Sequence, residues 1–254
     1  MQEILNTINS FSEVYNIPWS NSENSFLNNF RITPINLKSP ERSYSHLWRI
    51  NTKNVKQDLF LDCLSQDEKI KYFKIVPYNV KTLKVKSRIL LRLILSAYLN
   101  KPPKEISFLY GKNGKPFLKN DIAKIHFNIS HSGDHLVILI DSKHQIGIDI
   151  ETELRSSEVS LKMAKRFFNQ EEYQLLKSLK GKQQSILFNK LWTLKEAFLK
   201  SMGKGVFFID QCPNFYFIKK NLSESYIEYY HTKNHDSFLF CNDKICVSTS
   251  RHIN

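Results

Sequence analysis

Six residues constrain this chain more than any other stretch: Ile146-Gly147-Ile148-Asp149-Ile150-Glu151. The alternation has a period of two, which a strand satisfies and a helix does not. Ile146, Ile148 and Ile150 then share one face, turned into a core, and Gly147, Asp149 and Glu151 share the other. Residues two apart on one strand face are separated by roughly 6.5–7 Å, so Asp149 and Glu151 aim at a common region. Two carboxylates placed in this way repel unless a cation lies between them. Hard oxygen ligands of this kind suit Mg²⁺, which takes one or two protein carboxylates together with phosphate oxygens. A solvated polar strand face and a divalent-ion site both remain open at this point.

The rest of the chain punctuates into alternating helical and extended segments. Residues 1–45 are rich in Asn, Ser and Pro with scattered aromatics, and read as an N-terminal extension with some short helix. His46 to Thr52 reads as a strand. Ser65 before Asp67-Glu68 reads as a helix N-cap with acidic first-turn residues. The apolar spacing from Lys81 to Leu99 predicts a long helix with a wide buried face, stopped by Lys101-Pro102-Pro103. Gly111 to Gly114 is a turn. Residues 125–129 and 135–140 read as strands around a turn over Ser130 to Asp134. Two helices are expected over about 160–180 and 183–202, the second stopped by Gly203-Lys204-Gly205. The aromatic and β-branched tail from Val206 reads as several antiparallel strands.

Composition bounds the partners. The chain has 254 residues, 41% of them hydrophobic, enough for one large domain or two small ones and too apolar for a disordered tail. The net charge of +13, from 37 Lys+Arg against 24 Asp+Glu, favours polyanionic partners without choosing among them. Cys63, Cys212, Cys241 and Cys246 form no CxxC pair, and reduced thiols are the expectation. The N-terminus lacks a basic region followed by an apolar one, so no secretory leader is expected and the cytoplasm is the expected compartment. No stretch approaches the roughly 20 apolar residues of a membrane span.

Three further segments carry polar chemistry. In Trp192-Thr193-Leu194-Lys195-Glu196-Ala197-Phe198-Leu199-Lys200, Glu196 and Lys200 stand one helical turn apart. They fit an ordinary surface ion pair, or a carboxylate joining a metal site beside a lysine facing a phosphate. Ser130-His131-Ser132-Gly133 offers hydroxyls, an imidazole and a turn that can donate several hydrogen bonds to a phosphate. A plain β-turn fits the same residues. A Ser–His dyad is disfavoured, because neighbours at a strand end rarely aim at each other. Lys69, Lys71, Lys74, Lys81, Lys84, Lys86, Arg88 and Arg92 form a basic run with no acid between them. A solvated helical face explains most of these, leaving one or two for an anionic ligand.

Taken together, the segments resemble the 4′-phosphopantetheinyl transferases of the surfactin-synthetase-activating (Sfp) type. The resemblance rests on five stretches in order and in register. They are Gly114-Lys115-Pro116, Phe127 to Gly133, Ile146 to Glu151, Ala164-Lys165-Arg166-Phe167-Phe168, and Trp192 to Lys200 with Gly203-Lys204-Gly205. It covers roughly residues 46–250. It implies an α+β fold, a pseudo-dimer of two similar α/β subdomains with a cleft between them. The divisions are then an extension over 1–45, an N-terminal subdomain over 46–142 and a C-terminal subdomain over 143–254.

The implied activity moves the phosphopantetheine arm of coenzyme A to a serine of an apo acyl or peptidyl carrier protein, releasing adenosine 3′,5′-bisphosphate. The implied metal is Mg²⁺, with Asp149, Glu151 and Glu196 as ligands. Glu196 is also the implied base and Lys200 a phosphate contact. Lys71, Arg88, Lys115, Ser130 and His131 are implied coenzyme A contacts. Carriers of this type are generally acidic, which gives the basic surface a steering role. Fatty-acid, polyketide and nonribosomal-peptide carriers stay open. A monomer without nucleic acid or membrane partners is expected, the alternative being a basic nucleic-acid-binding module without catalysis.

Overall fold

The computed structural model describes residues 12–18, 31–32, 44–55, 57–119, 124–215, 219–220, 227–241 and 245–253. In chain order the elements are β1 (Ser12–Pro18), β2 (Arg31–Ile32), β3 (Tyr44–Asn51), α1 (Gln66–Phe73), α2 (Tyr78–Leu99), β4 (Phe108–Tyr110), β5 (Pro116–Leu118), β6 (His126–Ser132), β7 (His135–Asp141) and β8 (Ile146–Glu151). Then follow α3 (Ser157–Phe167), α4 (Gln170–Ser178), α5 (Gly181–Ser201), β9 (Lys219–Lys220), β10 (Ile227–Thr232), β11 (His235–Cys241) and β12 (Cys246–His252). This is a mixed α+β fold.

Two five-stranded sheets carry the architecture, ordered β2-β1-β3-β7-β6 and β8-β12-β11-β10-β9, with β4 and β5 forming a separate hairpin. A connection pattern repeats: β3 and β8 each lead through helices to a hairpin whose last strand, β7 or β12, returns antiparallel beside them.

Alternation along the strands sorts side chains into three apolar layers. Trp48, Ile50, Leu136, Ile138 and Ile140 pack with Ile89, Leu90, Leu93 and Ile94 of α2. The opposite face of the first sheet, Leu47, Val137 and Leu139, meets Ile146, Ile148, Ile150, Phe238 and Val247 of the second. The isoleucine half of the alternating hexapeptide therefore seals the contact between sheets. Beyond the second sheet, Leu239 packs with Phe188, Trp192, Leu194 and Leu199 of α5.

Several local expectations change. Within residues 1–45, Ser12–Pro18 is a strand paired along its length with β3 rather than a short helix. Its Val14 and Ile17 are both buried, which ties it to the sheet; most of the remaining segment lies outside the described residues. The helix expected over 160–180 is two helices, because Asn169 interrupts it: its Oδ1 accepts the Glu172 amide at 2.8 Å and starts α4 afresh. The turn expected over Ser130 to Asp134 shrinks to Gly133-Asp134, with Gly133 at φ +53°, so Ser130 and His131 stand on β6 itself. The expectation of four reduced thiols is corrected at Cys241 and Cys246, which face each other across β11–β12 and form a disulfide. Cys63 and Cys212 are free. Among the described residues no helix is long and apolar enough to cross a membrane.

The Ser65 cap is a full capping box with Glu68. Glu68 is itself buried, and its carboxylate accepts Arg92 Nε at 2.7 Å and pairs with Arg88 Nε at 3.2 Å. Arg92 also donates to the carbonyls of Pro103 and Ile106. Part of the basic run is thus internal framework rather than solvated face.

Candidate active site

The polar face of β8 is covered by the last turns of α5. Gly147 makes this possible: a Cβ there would lie 2.0 Å from the Ala197 carbonyl oxygen and 2.4 Å from the Ser201 amide nitrogen. Only a residue without a side chain lets helix and strand backbones approach so closely. The contact sets the last turns of α5 over β8 and brings Glu196 and Lys200 to Asp149.

Lys200 Nζ lies 2.6 Å from Asp149 Oδ1, 3.1 Å from Ser130 Oγ and 3.7 Å from Glu196 Oε2. Ser130 reaches in from β6 and donates to the same Asp149 oxygen at 2.8 Å. Its neighbours on that face serve the free edge of β8. Asn128 Oδ1 accepts the Ile148 amide at 2.8 Å, and Ser132 Oγ accepts the Thr152 amide just beyond the strand at 3.1 Å. The site is therefore made by three elements, β6, β8 and α5.

Burial raises the pKa of Glu196, and the charges of Asp149 and Glu151 raise it further against the pull of Lys200. Burial likewise raises Glu151, outweighing its ion pair with Arg155. Burial alone would lower Lys200, but Asp149, Glu196 and Glu151 reverse that and raise it. His131 is lowered by desolvation and by Lys200, with Lys84 adding to the effect. The three carboxylates thus share one electrostatic field, with the Lys200 ammonium against Asp149 at its centre.

The fit to a divalent cation is one of donor chemistry. Asp149 Oδ2 is buried with no hydrogen-bond partner, so an acceptor stands unused in the group that Lys200 joins to Glu196. Among the described residues, however, no three His, Cys, Asp or Glu side chains stand arranged to enclose a metal. Glu151 is turned to Arg155, 2.7 Å away.

The remaining residues singled out from the sequence fall into two groups. Lys115 comes to the site's edge, but its Nζ donates to the carbonyls of Ile146 and Lys200, both at 2.7 Å. It bolts the start of β8 to the end of α5. Beside it, Asn113 Nδ2 donates to the Gly203 carbonyl at 2.9 Å. Burial lowers the Lys115 pKa to about 8. Lys71 and Arg88 belong to a separate cluster. Arg88 donates to the hydroxyls of Tyr72 and Tyr110 at 3.0 and 3.1 Å, and Lys71 lies over the Tyr110 ring. Arg88 Nη1 is buried without a partner.

Sequence reasoning missed Arg155. It pairs with Glu151, lies 3.3 Å from Asn189 Oδ1 and stacks over Phe188 and Trp192. Its four-residue spacing from Glu151 was visible, but it crosses from a strand into a loop, where that spacing has no fixed geometry.

Comparison with known proteins identifies the family. Residues 145–252 match the 4′-phosphopantetheinyl transferase superfamily, and residues 47–143 match the N-terminal region of 4′-phosphopantetheinyl transferases. The chain is 41% identical over 139 residues to the 4′-phosphopantetheinyl transferase gsp of Aneurinibacillus migulanus, covering 55% of this chain and 54% of that protein. With HetI of Nostoc sp. the identity is 37% over 166 residues, 63% of this chain and 69% of HetI. With Sfp of Bacillus subtilis it is 39% over 118 residues, 46% of this chain and 50% of Sfp. The chain belongs to the 4′-phosphopantetheinyl transferase superfamily. It spans about half the length of gsp and Sfp in these matches. The reading as a nucleic-acid-binding module finds no support in them.

Proposed function

We propose that this protein transfers the 4′-phosphopantetheine arm of coenzyme A to a serine of an apo carrier protein, leaving adenosine 3′,5′-bisphosphate. The observation that carries this reading is the meeting of Asp149, Glu196 and Lys200, from the segment that matches the transferase superfamily, with Ser130 from the segment that matches the N-terminal region of these transferases.

Attack of a hydroxyl on a diphosphate needs positioning and charge neutralisation more than covalent help. Lys200 and Ser130 supply a cation and a donor for phosphate oxygens, and His131 stands next on the same strand. Glu196, with its raised pKa, is poised to accept the proton of the incoming serine, directly or through water. Asp149 and Glu196, flanked by Glu151, would hold Mg²⁺, which when bound neutralises charge on the diphosphate. In this reading Lys115 acts mainly by fixing β8 against α5, and Arg88 and Lys71 face the anionic end of coenzyme A from α2 and α1. The two repeated strand–helix–hairpin units form the halves of a pseudo-dimer, with the ligand in the cleft between them. The carrier is acidic, of the polyketide or nonribosomal-peptide class, and the enzyme works as a monomer in the cytoplasm.

Incubation with coenzyme A, Mg²⁺ and a panel of apo acyl and peptidyl carriers tests the reading by intact mass. One added phosphopantetheine arm on a carrier serine is expected; no transfer to any carrier overturns it.

A further inference from the structure

The junction of α1 and α2 exposes apolar side chains that a buried-core account does not explain. Ile70 is 49% exposed, Phe73 52%, Val76 88% and Tyr78 69%. Single exposed apolar residues are ordinary, but a contiguous set marks a contact surface. Three of them are joined: Ile70 and Phe73 share one face of α1, and the Lys81 ammonium lies 5.6 Å from the Phe73 ring and 5.4 Å from the Tyr78 ring, with Val76 in the link between the two helices. The surrounding sequence is basic, with no acid from Lys69 to Arg92.

The patch leads along α2. Lys81, Lys84 and Arg88 follow one another along one face of α2, so the patch continues on that helix toward Arg88, one of the proposed coenzyme A contacts. From Tyr78 to Lys84 is six residues, roughly 9 Å along the helix. The patch and the proposed coenzyme A contacts Lys71 and Arg88 thus belong to the same pair of helices.

We propose that the Ile70–Phe73–Val76–Tyr78 face is the docking surface for the carrier protein, an acidic partner with exposed apolar side chains; this rests on the transfer reading above. Charge and shape of chemistry select this occupant. Nucleic acid would use aromatic stacking and phosphate contacts, whereas Lys81 already lies over the rings of Phe73 and Tyr78 and Ile70 and Val76 offer no stacking face. A second copy of the chain would set lysines against lysines.

The test measures transfer kinetics with an apo carrier modified by the wild-type protein. Carrier is varied at saturating coenzyme A, and coenzyme A at saturating carrier. The variants are Phe73→Asp, Val76→Asp and the pair Lys74→Glu with Lys81→Glu. Each is expected to raise the KM for carrier about tenfold or more, while kcat, the KM for coenzyme A and the thermal midpoint stay near wild type. An unchanged carrier KM overturns the docking surface alone. So does a loss of binding to DNA or to phosphatidylserine vesicles without a change in carrier KM. A wild-type protein that modifies no carrier overturns the transfer reading, and this surface with it.

Discussion

Gly147 lies so close beneath Ala197 that the strand and the helix touch backbone to backbone, and a single methyl group at that position would meet the Ala197 carbonyl oxygen at 2.0 Å. The contact is the pivot of the site, since Glu196 and Lys200 flank Ala197 on one side of it and Asp149 follows Gly147 two residues along the strand. A Gly147→Ala substitution is expected to destabilise the protein by about 3 kcal/mol, because the clash is with backbone that cannot swing aside. Activity should fall on the order of 10²-fold through misplacement of α5. Denaturant melts together with transfer rates check this; a stable, fully active variant would show that the helix can shift freely.

The carboxylates are not equivalent. Asp149 has a buried oxygen without a partner and shares the Lys200 ammonium with Glu196, while Glu151 is held by Arg155. Asp149→Asn and Glu196→Gln are each expected to lower kcat/KM on the order of 10³-fold, and Glu151→Gln only on the order of tenfold. Equal losses at all three would contradict this ordering.

Divalent-ion binding has a readout without turnover. Mg²⁺ alone should raise the thermal midpoint, since an ion bound only by the folded state at about 100 times its Kd adds about 2.7 kcal/mol. Asp149→Asn should abolish the rise. An identical shift in the variant would place the ion elsewhere.

Lys115 gives a pH signature. Its pKa is lowered to about 8 by burial, below the ordinary 10.5, so the unfolded chain binds its proton more tightly than the folded one. Stability from this group therefore rises with pH between about 8 and 10.5 and is lost as pH falls through 8. Lys115→Met also leaves the carbonyls of Ile146 and Lys200 short of a donor, and should cost about 2 kcal/mol at pH 7. The deficit of the variant against wild type should widen above pH 8; a constant deficit in urea melts across this range would refute the assignment.

Under the site, Lys195 and Glu172 form an ion pair at 2.9 Å with side chains 1% and 0% exposed. Lys195→Met should destabilise by about 3–5 kcal/mol, because it strands a buried carboxylate. The double variant Lys195→Met with Glu172→Leu should recover most of the loss. No recovery would mean that the lysine acts through packing alone.

Strand β8, its two faces and the long helix before it were legible because each rests on a period that one residue run displays by itself. The turn at Ser130, the unbroken helix over 160–180 and the extension over 1–45 misread the chain where a single residue or a distant partner decides. Asn169 caps a new helix, Gly133 narrows the turn, and β1 is a strand because β3 offers it an edge. Glu196 and Lys200 were visible as a pair one turn apart, but nothing local distinguished them from a surface pair.

The sequence by itself determined which residues could act: alternation put Asp149 and Glu151 on one strand face, and helical spacing put Glu196 beside Lys200. Only the tertiary structure decided that these two faces meet, that Ser130 arrives from β6, that Arg155 takes Glu151, and that Lys115 turns to backbone carbonyls. The reason is range. Periodicity is a property of neighbouring residues, whereas the meeting of β6, β8 and α5 depends on the packing of both sheets and on the missing side chain at Gly147.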